Sequence, residues 1–98
     1  MTDKNHSDSY QLLIDRAVII RTVTHAFTGR LTQVTDYDVV IYDQAWIAEA
    51  GRWNEALMGK WDSNAEIEAY PDDTPTVIPR GAIVEMTLFR GELPRKTV

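Results

Sequence analysis

From Ala17 to Asp43 the chain is dominated by β-branched residues in three runs, AVIIRTVT, FTGRLTQV and DVVIYD, separated by short polar gaps. Branching at Cβ restricts side-chain rotation in a helix and suits a pleated surface, so the stretch reads as three successive strands. In the second run Phe27, Gly29 and Leu31 alternate with Thr28, Arg30 and Thr32, the period of a half-buried strand. Gly29 inside that alternation marks a sharp bend or a close backbone approach. A curved middle strand is what closing a small barrel requires. The 98 residues suit one domain.

The flanking segments read differently. Residues 1–8 are polar and expected to form a disordered lead-in. Ser9, with Ser7 as the alternative, is placed to cap a short helical turn through Tyr10, Leu12, Leu13 and Arg16. Over residues 45–58 the period changes. Trp46, Ala50, Trp53 and Leu57 fall on one helical stripe, which predicts a helical insertion over about 45–59, weakened at Gly51 and ended at Gly59. AEIEAY then reads as a short strand and PDDTP as a loop. VIPRG and AIVEMTLF are two strand-like runs divided by Pro79-Arg80-Gly81, and residues 91–98 form a turn-like, loose tail. The domain proper is expected over 9–90.

Composition narrows the function classes. At 44% hydrophobic and 26% charged, the chain can form a core unaided, and with no cysteine it forms neither disulfides nor thiolate metal sites. No apolar leader or membrane-length run is present, so a cytoplasmic protein is expected. The net charge of −5 is uneven, with ten acids against Arg52 and Lys60 in residues 36–73. Such a surface repels a phosphate backbone, which disfavours non-specific duplex DNA, while the more basic flanks leave room for a small basic pocket.

The order of a short helix, three strands, an insertion and two strands about a glycine resembles the Sm and Sm-like (Hfq-type) family. VIIRT, Gly29-Arg30-Leu31, Asp36, VVIY and Asp43 follow its first motif, and Arg80-Gly81-Ala82-Ile83-Val84 its second. The resemblance implies a five-stranded SH3-like barrel, mainly β with short helices. It also implies assembly into a homo-oligomeric ring, such as a hexamer, and a pore-lining Arg80 that stacks on or hydrogen-bonds a nucleotide. The Asn with which family members read uridine-rich RNA falls on Val39, and a tryptophan-bearing insertion is foreign to standard members. Ala45–Arg52 also resembles an A-W-I-A-[DE]-x-G-R stretch of small bacteriophage proteins, which implies a host-cell cytoplasmic setting.

No nucleophile elbow, zincin motif or phosphate loop is present. His6 and His25 make no ligand set; His25 reads as an exposed turn residue. Asp36 and Asp38 read as an Asp-rich hairpin turn before they read as a catalytic pair. No enzyme activity, metal or cofactor is expected. The residues that would bind a ligand are Arg80, Gly81, Arg21, Arg52 and Asp36, with Trp46 and Trp53 as stacking surfaces. The bland alternatives are a backbone role for Gly81, a solvated or paired Arg80, and tryptophans that pack the core. The leading expectation is an oligomer binding a nucleotide-type ligand, such as a phage protein sequestering a host defence signal. The alternatives are an Sm-like RNA-binding ring and a structural assembly or interaction module.

Overall fold

The computed structural model describes residues 8–96 and is mainly β, with a few short helical turns. Six strands form one open antiparallel sheet: β1 (Ala17–Arg21), β2 (Ala26–Val34), β3 (Asp38–Glu49), β4 (Glu66–Ala69), β5 (Thr76–Pro79) and β6 (Glu85–Leu88). The order across the sheet is β4-β3-β2-β1-β6, and β5 pairs with the first half of β3. A 3-10 turn (Ser9–Leu13) leads in, a second one (Arg80–Ala82) joins β5 to β6, and α1 (Trp53–Ala56) precedes β4. No helix among the described residues is long and apolar enough to cross a membrane.

The three runs of β-branched residues are β1, β2 and the first half of β3, as their pattern predicts. Of the sharp bend or close backbone approach expected at Gly29, the close approach is present. The β2–β3 register shifts between Thr28 and Arg30, and a Cβ on Gly29 would lie 3.0 Å from the Ile41 side chain and 3.2 Å from the Tyr42 carbonyl. Only glycine lets the strands approach so closely. The extra residue at this shift lies in β3, where Asp43 takes a φ of 54°. One inserted residue exchanges the faces of a strand. Val39 and Ile41 therefore pack on one face while Ala45 and Ile47 pack on the other.

Both faces of the sheet are covered. On the first, Val18, Ile20, Leu31, Val39, Ile41 and Ile78 form a core closed by Tyr10, Leu13 and Ile83. On the second, Ile19, Ile47, Ile67 and Phe89 form a core under Trp53, Leu57, Trp61 and Leu93. Alternate residues of β1 thus enter different cores, which accounts for its uninterrupted apolar sequence.

Three expectations change. Residues 45–49, read as the start of a helix, complete β3, and the helix is only Trp53–Ala56. Ala45 and Ile47 alternate inward with period 2 and pair with Ala69 and Ile67 of β4, so strand pairing overrides the helical spacing of Trp46, Ala50 and Trp53. Gly51 forms a turn at φ 75° against Asp62 and does not continue a helix. The sixth strand, β4, lies beyond that insertion and is the AEIEAY stretch read as a short strand. The first turn is capped by Asp8, whose carboxylate accepts from the Tyr10 N–H at 3.0 Å, and not by Ser9; Ser7 lies outside the described residues. The tail, expected to be loose, is packed as far as the description runs. Leu93 joins the second core, and Arg95 donates to the Gln44 and Tyr70 carbonyls and to Asp72.

Candidate functional site

The residues expected to bind a ligand fall in three places. The first is the corner after β5. Its geometry begins with Arg80, whose backbone N–H bonds the Tyr37 carbonyl at 2.9 Å and so brings the corner against the Thr35–Asp38 turn that carries Asp36. The guanidinium makes three hydrogen bonds. It meets the Asp8 carboxylate at 2.5 and 3.2 Å, donates to the Thr35 carbonyl at 2.8 Å, and lies 4.0 Å from the centre of the Tyr10 ring. Hydrogen bonding to Arg80 holds the Asp8 carboxyl below its ordinary range, and the same bonds push the Arg80 pKa up. A bidentate, stacked arginine joins three segments distant in sequence.

Gly81 has no atom within 4 Å of an added Cβ, and its φ lies outside the left-handed region, so nothing at this corner requires glycine. The two residues of the Arg-Gly pair are therefore expected to respond with opposite sign. Arg80→Ala lowers the melting temperature by freeing the first turn, while Gly81→Ala raises stability by about 0.4–1 kcal/mol through the unfolded chain. Thermal denaturation of the two variants checks this; a Gly81→Ala variant less stable than Arg80→Ala sinks it.

The second place is on the opposite face, where Arg21 on β1 sits beside β6. Arg21 donates to Glu85 at 2.8 and 3.2 Å, and its guanidinium lies 5.8 Å from the centre of the Trp53 ring. Glu85 also accepts from the Trp53 indole N–H at 3.3 Å and from Thr87 at 2.9 Å. The hydrogen bond from Arg21, followed by those from Thr87 and Trp53, outweighs desolvation and lowers the Glu85 pKa. Arg52 is exposed, and its carbonyl accepts the first helical bonds of α1. Trp53 belongs to the second core, while Tyr10, under Arg80, belongs to the first. Arg21 and Arg80 thus face away from each other and do not form one phosphate pocket.

The third place holds Trp46. The face exchange in β3 turns its ring onto the first face, opposite Phe27 of β2 and Glu68 of β4 in the register. His25, read as an exposed turn residue, packs its ring 5.0 Å from Phe27 and 5.5 Å from Trp46, centre to centre. Tyr70 meets Phe27 edge-on at 6.5 Å. Trp46, Glu68, Ala69, Tyr70 and Pro71 line a depression of about 480 Å³ that is open to solvent. No protein family, curated protein or solved structure matches the chain. The functional reading therefore stands on this geometry alone.

His25, Tyr70 and Glu68 escaped the sequence reading because strand pairing alone brings them to Trp46. Glu85 and Asp8 escaped it because their partners lie 64 and 72 positions away. Among the described residues, no group of three or more His, Asp or Glu side chains is placed to hold a metal ion. On β5, the edge away from β3 is bounded by Pro75 and Pro79, and Val77 between them is 58% exposed. Because Arg80 N–H bonds Tyr37, Pro79 and Asp38 form a non-hydrogen-bonded pair, and the proline nitrogen faces that outer edge. Proline there removes a donor from strand-to-strand assembly.

Proposed function

We propose that the chain is a non-catalytic binding module whose working surface is the aromatic face around Trp46. The contrast among the three tryptophans carries this reading. Trp53 is tied to Glu85 and packed on the second core, and Trp61 stacks on Phe89 at 5.9 Å. Trp46 is half-buried at the rim of an open depression beside the His25 ring, in neither core, whereas Trp61, which also borders an open depression, packs against the second core. An indole left partly wet forgoes burial that a partner would restore, which is why such surfaces mark interaction sites.

The Sm-like reading of the architecture belongs with this proposal. It is supported by the leading turn, the three-strand meander, the 3-10 corner, and the return of the last strand onto the first. Of the expected nucleotide site, the fold exposes one stacking ring, Trp46, but does not gather Arg21, Arg52 and Arg80 around it. Glu68 opposite Trp46 opposes phosphate, so an interaction module fits the geometry better than a nucleotide pocket.

Three indole N–H resonances make the test direct. In titrations with short basic peptides, uridine- and adenine-rich oligonucleotides and cyclic dinucleotides, the class that binds should move the Trp46 signal and leave Trp53 and Trp61 in place. Trp46→Ala should then remove the binding. A ligand that shifts Trp53 or Trp61 instead, or binds Trp46→Ala unchanged, overturns this assignment, as does a panel in which nothing binds.

A further inference from the structure

Within that reading, on which the inference rests, the charges around Trp46 name the partner. Glu68 stands directly across from Trp46, and two residues earlier on the same face Glu66 stands directly across from Glu49. Like charges in directly opposed positions destabilise a sheet, and sequences normally avoid them. Among the described residues no cation is paired with Glu49, Glu66 or Glu68, although Arg21, Arg30, Arg80 and Arg95 all have carboxylate partners. All three glutamates are exposed. The β3–β4 end of the first face therefore combines a partly wet indole with a carboxylate beside it and two opposed carboxylates further along.

We propose that this surface docks an arginine- or lysine-bearing segment of a partner protein, with one cation over the Trp46 ring and its neighbours against Glu68 and Glu66. An aromatic face attracts a cation through its quadrupole, and a carboxylate at its rim adds to the attraction. The site's shape selects a peptide over a free small cation. A depression this open covers little of a small molecule, whereas a chain segment adds contacts along Glu68, Tyr70 and Pro71. A second copy of this chain is a poor occupant, because the surrounding residues 36–73 carry ten acids and two bases.

The experiment uses capped hexa-arginine and hexa-lysine peptides, a hexaglutamate control and a uridine-rich oligonucleotide, read by calorimetry and by the indole signals. The basic peptides should bind, move Trp46, and weaken as salt is raised, while hexaglutamate does not bind. Trp46→Ala should weaken hexa-arginine by roughly fivefold or more. Glu68→Lys, a surface change expected to leave the fold intact, should abolish the binding. If the oligonucleotide moves Trp46 and the basic peptides do not, the inference fails while the working surface stands. If the basic peptides bind equally well to Trp46→Ala and Glu68→Lys, the acidic shell attracts them without a site and both fail. Absence of binding by any probe also overturns both.

Discussion

Replacing Phe89 by alanine is expected to cost about 3–5 kcal/mol of unfolding free energy, the range for truncating a buried aromatic ring. Phe89 is 3% exposed and directly follows β6, where its N–H bonds the Ala17 carbonyl at 2.9 Å. Its ring stacks on Trp61 with an interplanar angle of 26° and lies 3.5 Å from where a Cβ on Gly59 would stand. The residue therefore joins the sheet, the end of the short helix and the tail through one side chain. The stacked Trp61 ring and the nearby Gly59 limit how far the site can collapse, which places the cost toward the upper end of that range. Domains of this size are stable by only about 5–15 kcal/mol, so the loss is a large fraction of the whole. Urea denaturation followed by tryptophan fluorescence measures it, with Trp61 expected to become more exposed in the folded variant. A cost below about 1 kcal/mol would mean that the second core contributes little and that the insertion is a surface ornament.

The parts of the fold legible in the sequence are those fixed by local period and by glycine. Three runs of β-branched residues gave three strands, Gly29 marked a close approach of two strands, and Gly59 ended the helical turn at φ 77°. The error at residues 45–49 arose because two periods coexist there. Trp46, Ala50 and Trp53 satisfy a helical stripe, while Ala45 and Ile47 satisfy a strand, and β4, about 20 positions on, decides between them. The continuous run Val18-Ile19-Ile20 did carry a sign that both faces are covered, since a strand with one wet face alternates. Arg80-Gly81 shows the other limit. The motif located a corner correctly, but the partner of Arg80 is Asp8, at the far end of the chain, and no spacing rule connects them. The candidate site was the least legible, because three of its four rings and the carboxylates of Glu66 and Glu68 reach Trp46 only through strand register.

Gly91→Ala should cost about 1–3 kcal/mol, and its sign separates a seated tail from a loose one. A Cβ at position 91 would lie 2.5 Å from Gly59 Cα and 3.0 Å from both the Gly59 nitrogen and the Met58 carbonyl oxygen. Each of those atoms is backbone, so no side chain can rotate to make room. One segment must withdraw. The Arg90 N–H to Leu57 carbonyl bond of 2.8 Å is at risk, together with the packing of Leu93 and the bonds from Arg95 to the Gln44 and Tyr70 carbonyls. The backbone at 91 is not in the left-handed region, so collision alone opposes the substitution. Were the tail free, the same change would remove unfolded-state entropy and stabilise the protein by about 0.4–1 kcal/mol. Equilibrium denaturation therefore gives opposite signs for the two cases. A stabilised Gly91→Ala would detach the tail from the second face, and Phe89 and Trp61 would then close that core without Leu93.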